Sequence, residues 1–444
     1  MIDTALRERE SAGRPVRVGM VGAGAKGRAI ALQLGTPAPG IRLVAIANRT
    51  IANAERAFRE SGVTHWKRVD SATAAGTAIS NGTPILTDDP TVLTSCEAID
   101  VLVEVTGTVE PAARVVLESF DYGKSVVLMN AELDSLIGPI LNAKANRAGI
   151  VFTHTDGDEP GVAMTLLRYL RSLGLRPVAA GNIKGMVDYY RNPDTQRAFA
   201  EKNGQDVRKV TSFADATKLS METAVLANGT GFRVGQRGMY GHACQHVRDL
   251  ANLLPAEQLL ADGLVDYAVG AAPHTGAFVM VHEDSPLKKS QLAYYKMGDG
   301  PFYVFYTPFH LPHIQIASTI GRAAIYRDAT VAPLGGPVCE VVTVAKRDLK
   351  AGERLDGIGG FSAYGLIDNS VSARSIDALP IALSEGRVLR RDVAKDQVVA
   401  FRDLVEAPNG LAETLWQEQL MHWPAQTEKS QDLLRQPEFV QTAR

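Results

Sequence analysis

Apolar and polar segments alternate regularly through the first third of the chain. Residues 16–50 read as an apolar strand, a glycine-rich turn, a helix and a second apolar strand. Further apolar runs predict buried strands at 99–107, 124–130 and 150–154. Helices are predicted at 111–120, at 137–148 and from an acidic turn to residue 173, and residues 51–89 are predicted to form surface helix and loop. This alternation predicts an α/β fold whose first domain, residues 1–160, is a doubly wound parallel sheet.

The alternation stops near residue 175. Residues 177–183 and 210–230 carry strand-like or mixed patterns, with a polar linker at 189–207. We therefore expect a central α+β domain over residues 161–332. A Pro/Gly-rich run at 333–337 begins a third segment, 333–444, in which 345–360 and 390–404 each read as charged strand, turn and second strand. These half-repeats predict a small β-rich domain with exposed charges, among them Lys346, followed by a helical and then polar tail after residue 411.

Composition narrows the class of protein. A chain of 444 residues is too long for one core. A net charge of −2 gives no basic field that would favour nucleic acid or an anionic membrane as a partner. Three scattered cysteines argue against a disulfide framework or a thiolate zinc site. The N-terminus is polar and no apolar run reaches about 18 residues, so we expect a cytoplasmic protein.

The glycine-rich turn carries the strongest functional signal. Gly22, Gly24 and Gly27 have the G-x-G-x-x-G spacing between a strand and a helix, with a second strand about 20 residues further on. This is the dinucleotide-binding pattern of a Rossmann domain, in which the pyrophosphate lies at the helix N-terminus. The alternative is a glycine-rich turn without a ligand. The residues predicted to bind the cofactor here are Gly22, Ala23, Gly24, Ala25, Lys26 and Gly27.

The end of the second strand predicts which dinucleotide binds. Asn48 and Arg49 stand where an NAD-selective site has a carboxylate for the ribose 2′-OH. Because Arg49 can pair with a 2′-phosphate, the sequence favours NADPH. In the alternative interpretation Arg49 is a solvated loop residue. Thr106, Gly107 and Asn130 follow two later strands and are predicted to approach the nicotinamide, unless they only form strand-ending turns.

Two further segments carry candidate catalytic groups. Asp156, Asp158 and Glu159 form an acidic turn that either caps a helix or holds a substrate hydroxyl or a cation. Asp215, Lys218 and Glu222 have the i, i+3, i+7 spacing of one helix face. That spacing fits a solvated ion-pair stripe. It also fits a lysine that stabilises the oxygen of a carbonyl as hydride arrives.

These motifs together resemble a known family. The segments GAGAKG, EVTG, MNAELD, IKG and DATKL occur in the order of matching elements in homoserine dehydrogenases. The closest resemblance is to a branch with a C-terminal SAF-like domain, the 1-deoxy-D-xylulose 5-phosphate reductoisomerase-like (DRL) proteins, through GDEP, GDGPFYVFYTPFHL and AKRDLKAGERL. Two features depart from homoserine dehydrogenases, since Ala131 replaces the lysine that usually follows the asparagine, and the spacing from Asp215 to Lys218 is one residue shorter.

The resemblance implies an NADPH-dependent oxidoreductase that acts on a small sugar, sugar-phosphate or polyol carbonyl. It further implies reductoisomerisation linked to isoprenoid biosynthesis, a homo-oligomer and a Mg or Mn ion. A homoserine dehydrogenase-like simple dehydrogenase and a non-catalytic NADP(H)-binding protein with a carbohydrate-binding SAF-like domain are the alternatives. The catalytic residues that it implies are Lys184, Lys218, Asp215 and Glu159, and the metal ligands are Asp156 and Asp158.

Overall fold

The computed structural model describes residues 1–36, 38–405 and 410–424. The strands are β1 (Val16–Val21), β2 (Ile41–Ala47), β3 (Lys67–Arg68), β4 (Ile85–Thr87), β5 (Val101–Glu104), β6 (Ser125–Leu128), β7 (Phe152–His154), β8 (Arg176–Lys184), β9 (His242–Ala243), β10 (Leu264–Val269), β11 (Ala277–His282), β12 (Phe302–Thr307), β13 (Cys339–Ala345) and β14 (Ala363–Asn369). The α-helices are α1 (Ile2–Ser11), α2 (Ala25–Gly35), α3 (Ile51–Glu60), α4 (Ala72–Ser80), α5 (Thr91–Thr94), α6 (Glu110–Asp121), α7 (Ala131–Arg147), α8 (Glu159–Ser172), α9 (Pro193–Lys202), α10 (Val207–Ala214), α11 (Thr217–Thr230), α12 (Ala256–Ala261), α13 (Pro286–Tyr294), α14 (Pro312–Gly321), α15 (Ser370–Ser375) and α16 (Leu411–His422).

The first sheet is the predicted doubly wound parallel sheet. Its seven strands lie in the order β3-β4-β2-β1-β5-β6-β7, and every pair is parallel. The strands end in register, since Val21 pairs with Ala47 and Glu104, and Leu128 pairs with His154. All segments that follow these strands therefore meet at one edge of the sheet. The prediction for 51–89 was incomplete, because this segment also contributes β3 and the buried β4.

A second, mixed sheet forms the centre of the molecule. Its order is β12-β11-β8-β10-β9, with β11 antiparallel to both of its neighbours. α8 and α11 pack on one face, and a 3-10 helix at Val247–Asn252 packs with α12 on the other. The mixed pattern of 210–230 proves to be two helices, α10 and α11, so the strand-like interpretation was wrong there. The polar linker at 189–207 also contains α9.

The C-terminal domain is small and β-rich, as predicted. β13 and β14 form an antiparallel pair, and isolated bridges such as Leu349 with Val393 add irregular strand pairing. A compact apolar cluster that includes Leu379 and Leu389 fills its interior. One prediction for this domain was wrong, because Lys346 is buried rather than exposed.

Packing in the described residues crosses the predicted domain boundaries, which themselves stay a prediction. α14 returns from the central domain and packs on α2 and α1, so that Ile320 shares a core cluster with Leu6. β13 and β14 pack on α11 in the core of the central domain. α16 packs on α7, where the side chain of Gln419 bonds to Leu136 O and Ile140 N. Within the described ranges, no helix is long and apolar enough to cross a membrane.

Candidate active site

The glycine turn lies at the carboxyl edge of the first sheet, between β1 and α2. Gly22 has a φ of +109°, which favours glycine, and a Cβ on Gly27 would lie 2.4 Å from Gly22 O. Gly24 caps α2, and a Cβ there would meet open space within 4 Å. Asn48 Oδ1 accepts a hydrogen bond from Ala23 N at 2.9 Å, which ties the end of β2 to the turn. The turn therefore leaves the N-terminus of α2 open to a phosphate group.

Four other predicted cofactor residues, Lys26, Arg49, Thr106 and Gly107, lie around this turn. Lys26 and Arg49 are exposed, Arg49 directly after β2. Within the described ranges, no hydrogen bond or ion pair engages the side chain of Arg49. Gly107 has a φ of +63° just beyond β5, and Thr106 N lies 3.0 Å from the position of a Cβ on Gly22. These segments therefore lie together at the carboxyl edge of the first sheet, beside the N-terminus of α2.

Asn130 has a different position from the one that the sequence predicts. It is fully buried and caps α7, accepting from Leu133 N at 3.1 Å. Its amide donates to Glu104 Oε2 at 2.8 Å and to Thr108 O at 2.7 Å. Burial raises the pKa of Glu104 to about 7, although the bonds from Thr106 and Asn130 oppose the shift. Asn130 therefore holds the turn after β5 in place instead of facing the open cleft.

Two lysines of the central domain meet carboxylates beside this edge. Lys184, at the end of β8, donates from Nζ to Glu159 Oε1 at 2.5 Å and lies 3.6 Å from Glu222 Oε2. Lys218, in the first turn of α11, donates to Glu132 Oε2 at 3.0 Å. Burial alone would lower the pKa of each lysine, but Glu159 and Glu132, respectively, raise it above its ordinary value. Both lysines therefore stay charged.

The carboxylates in this cluster differ in protonation. Burial raises the pKa of Glu222 well above its ordinary value, and the charge of Glu159 adds to the shift. Burial would also raise the pKa of Glu159, but Lys184 and His310 reverse the effect and lower it. The site thus combines an ionised Glu159 with a Glu222 that favours its protonated form. Glu222 is 3% exposed and receives a 3.4 Å contact from the amide of Asn182.

His154, at the end of β7, lies between two carboxylates. Its Nδ1 is 3.1 Å from Asp134 Oδ2 and its Nε2 is 2.8 Å from Asp158 Oδ2. Burial would lower the pKa of His154, but its hydrogen bonds to the carboxylates of Asp134 and Asp158 raise it to about 9. Burial would raise the pKa of Asp158, whereas the bond to His154 lowers it. An imidazolium therefore anchors Asp158 at the start of α8.

One group of side chains has the geometry of a metal site. Asp158, Glu159 and His310 each offer one ligand atom, and these atoms lie within 4.8 Å of one another. His310 Nδ1 is 3.3 Å from Glu159 Oε2. The predicted ligand Asp156 lies outside the group, because its Oδ1 accepts from Gly157 N at 2.8 Å and its own N–H donates to Thr319 Oγ1 at 2.7 Å. The predicted acidic turn therefore supplies two of the three candidate ligands, Asp158 and Glu159, although only Asp158 was predicted as a metal ligand.

Asp215 does not share a helix face with Lys218. It ends α10, and a left-handed Ala216 separates it from α11. Its carboxylate accepts from Lys346 Nζ at 2.9 Å and from Thr217 N at 3.0 Å. Asp215 therefore joins the C-terminal domain to the central one, and the prediction of a common helix face was wrong.

Sequence reasoning missed several members of the cluster. Glu132 and Asp134 follow β6 within the quoted MNAELD segment, so their position after a strand was a usable signal. His154 ends a predicted strand and precedes the acidic turn. His310 lies within the segment GDGPFYVFYTPFHL, but no local pattern links it to Glu159, which lies about 150 residues earlier in the chain.

The first sheet has the strand order and the glycine turn of a Rossmann domain, and the family matches are those of an oxidoreductase. Residues 157–316 match the family model described as the catalytic domain of oxidoreductase DRL, and residues 340–405 match the SAF domain. These two matches, in this order, agree with the family that the resemblance in the sequence predicted. The catalytic-domain match contains Glu159, Lys184 and Lys218.

Solved structures with a similar fold are distant. A homoserine dehydrogenase from Thiobacillus denitrificans is 17% identical, with a TM-score of 0.41 over 76% of this chain and 83% of that one. The scyllo-inositol dehydrogenase from Lactobacillus casei with bound NAD(H) and scyllo-inositol is 12% identical, with a TM-score of 0.35 over 60% and 73%. An NAD binding oxidoreductase from Klebsiella pneumoniae is 16% identical, with a TM-score of 0.31 over 68% and 67%. TM-scores this low carry no argument about function. None of the curated proteins compared with the chain matches it.

Proposed function

We propose that the protein is an NADPH-dependent reductoisomerase that acts on a small sugar-phosphate carbonyl. One observation carries the proposal. Lys184 and Lys218 lie on two different elements beside the carboxyl edge of the first sheet, and both act electrostatically on the same two carboxylates, Asp158 and Glu222. Two fixed ammonium groups suit a substrate with oxygens on adjacent carbons, which an α-ketol rearrangement requires. A simple dehydrogenase needs only one such group.

The cofactor residues fit NADPH. The open N-terminus of α2 at Gly24 would receive the pyrophosphate, and exposed Arg49 would pair with the 2′-phosphate. When bound, NADPH supplies the hydride that reduces the rearranged carbonyl. Thr106 and Gly107 line the edge of the cleft on the β5 side.

The chain's own residues would manage charge and protons. Lys184 and Lys218 stabilise negative charge on substrate oxygens, an effect that is largest in a water-poor site. Glu222 favours its protonated form and lies 3.6 Å from Lys184, so it can supply the proton that the new alkoxide needs. Glu159 fixes Lys184 and orients it.

The acidic group would hold a divalent cation. Asp158, Glu159 and His310 provide oxygen and nitrogen ligands from two segments, which suits Mn²⁺ or Mg²⁺ with substrate oxygens in the remaining positions. Such a cation would polarise the carbonyl during rearrangement. It would compete with Lys184 for Glu159, so we expect metal binding to free the lysine for substrate.

A substrate panel tests the proposal. Purified protein is incubated with NADPH, Mn²⁺ and 1-deoxy-D-xylulose 5-phosphate, and loss of NADPH absorbance is followed. L-Homoserine with NADP⁺ tests the alternative, a simple dehydrogenase. We expect turnover of the sugar phosphate that a chelator abolishes and Mn²⁺ restores. Chelator-insensitive oxidation of homoserine would replace the reductoisomerase with a homoserine dehydrogenase-like enzyme.

A binding measurement covers the non-catalytic alternative. Tight NADPH binding without turnover of any panel member, in the presence of Mn²⁺ and Mg²⁺, would contradict the enzyme assignment for these substrates. His310→Gln is the matched metal variant, since it removes one proposed ligand and leaves both lysines. We expect it to raise the Mn²⁺ concentration needed for half-maximal turnover at least tenfold.

A further inference from the structure

The C-terminal domain contacts the first turn of α10. Arg208, near the start of α10, donates from Nη1 to Glu385 Oε1 at 3.0 Å and from Nε to Ile358 O at 3.2 Å, and it also bonds to Asp356 O. The backbone of the C-terminal domain approaches closely here, because a Cβ on Gly359 would lie 2.0 Å from Arg208 O. α10 is therefore bound through side chain and backbone.

The far end of α10 is held by the same domain. Asp215 at the helix C-terminus pairs with Lys346 Nζ at 2.9 Å, and that ammonium also donates to Arg191 O at 2.7 Å and Gly360 O at 2.8 Å. Lys346 and Asp215 are both buried. Ionic contacts at both ends fix the position and the rotation of this short helix.

Lys209, the residue after Arg208, extends its side chain to the turn that follows β5 at the carboxyl edge of the first sheet. Lys209 Nζ lies 3.4 Å from Thr106 O, and a Cβ on Gly107 would lie 2.8 Å from the same Nζ. Thr106 itself abuts Gly22 of the glycine turn. Lys209 is exposed, and in the part of the chain that the structure describes its side chain makes no hydrogen bond or ion pair other than the long bond to Thr106 O. Its ammonium thus stands beside the phosphate-binding turn without a carboxylate partner.

We propose that Lys209 is a cofactor-binding residue whose ammonium contacts the pyrophosphate of the bound dinucleotide, and that the C-terminal domain positions it through Arg208. This inference rests on the proposed function, because it requires a dinucleotide at the glycine turn. It gives the C-terminal domain a part in cofactor affinity although it supplies no group to the hydride step. It also explains why α10 is bound at both ends by a domain that is remote in sequence.

Cofactor titration by fluorescence tests Lys209 on the full-length protein. Lys209→Met should weaken NADPH and NADH about equally, by roughly tenfold, because both carry the pyrophosphate. Adenosine 2′,5′-bisphosphate lacks a pyrophosphate, so its affinity should not change. Lys202→Met is the matched control, an exposed lysine on neighbouring α9, and it should bind all three ligands like wild type.

A double-mutant cycle tests the positioning role. Arg208→Met should weaken NADPH binding severalfold in the wild-type background and should have no further effect in Lys209→Met. An independent loss in the double variant would show that Arg208 acts only on stability. Circular dichroism of each variant establishes that it is folded.

The outcomes separate this inference from the proposed function. Unchanged NADPH and NADH affinity in folded Lys209→Met would overturn the role of Lys209 while leaving the oxidoreductase intact. If wild type binds neither dinucleotide, the proposed function fails and this inference with it. A loss confined to kcat/KM for the phosphorylated substrate would assign the lysine to the substrate phosphate, which also overturns the proposal.

Discussion

At the scale of single residues, Arg49 is expected to decide between the two cofactors. Arg49→Asp places a carboxylate beside the 2′-phosphate and removes a charge-assisted bond worth roughly 1.5–3 kcal/mol. NADPH affinity should therefore fall by about one to two orders of magnitude, with NADH spared. Titration of both cofactors measures this. Arg14→Asp, an exposed site before the opposite end of β1, is the control, and an unchanged NADPH preference in Arg49→Asp would contradict the assignment.

The two lysines are expected to support the chemical step. Lys218→Met and Lys184→Met should each lower kcat by about 10²–10³, the usual cost of losing one preorganised group at a developing oxyanion. Because Lys218→Met leaves Glu132 buried without its cation, it should also lower stability. The double variant Lys218→Met/Glu132→Gln should recover thermal stability but not rate. Wild-type turnover in both lysine variants would remove them from the catalytic centre.

His154 is expected to make stability fall at alkaline pH. Its pKa is about 9 in the folded protein, above the ordinary 6.5, so its contribution is full below pH 6.5 and is lost as pH rises through about 9. The loss should amount to roughly 3 kcal/mol. Urea unfolding at several pH values measures it. In His154→Gln, the free energy of unfolding should not fall between pH 6.5 and about 9. An equally steep fall in the variant would mean that other titrating groups cause it.

The sequence indicated candidate residues more successfully than it indicated which of them lie together in the fold. Glu159, Lys184 and Lys218 became candidates when the family resemblance was added to their positions, and all three lie in one cluster. Their catalytic roles stay predictions. His310 could not be predicted, because a residue about 150 positions away reaches Glu159 only through the folded chain. Asp215 was placed wrongly because helical spacing does not reveal the left-handed residue that interrupts the helix.

At the scale of elements, the burial of each strand or helix explains whether its hydrophobic pattern allowed it to be predicted from the sequence. Strands β1, β5 and β6 are mostly apolar runs between turns, so their existence was predictable. α11 was not, because it is buried on almost every side and shows no polar face with a helical period. β3 and β4 are two and three residues long, too short for any pattern to distinguish them from loop.

The glycine turn offers a test at this scale. Gly27→Ala would bring a Cβ to 2.4 Å from Gly22 O, forcing α2 away from β1. We expect the free energy of unfolding to fall by about 1–3 kcal/mol. Gly24→Ala should leave stability unchanged, since its Cβ meets open space, but should weaken NADPH binding where the phosphate approaches. Denaturant unfolding and cofactor titration of both variants separate the effects, and equal stability losses would contradict this account.

At the scale of the whole molecule, the C-terminal domain is continuous with the central core. Val341, Ala363 and Ile381 share a cluster with residues of α11, and α16 covers α7. A chain truncated after Ala332 is therefore expected not to fold, and the full chain should lose its central and C-terminal parts in one cooperative transition. Hydrogen exchange followed by mass spectrometry measures this. Full protection of α11 in the truncated chain would contradict it.

The sequence predicted the order of three parts but not their interlocking. A Pro/Gly-rich run at 333–337 marks a change of pattern, and it does precede β13. Nothing in the local pattern shows that 312–321 packs back on α2, because an apolar helix face does not specify its partner. The three-part division therefore stays a prediction, and the packing joins its parts through shared cores.

The contact between α1 and α14 has a consequence for biosynthesis. Leu6 and Ile320 share one core cluster although more than 300 residues separate them. At about 5–20 residues per second, a ribosome needs on the order of 15–60 s to deliver the second partner after the first. Throughout that interval the emerging N-terminal domain has an uncovered apolar face on α2. Holding chaperones bind apolar faces of this kind. The N-terminal domain can complete its core only when α14 has been synthesised, in the last third of translation.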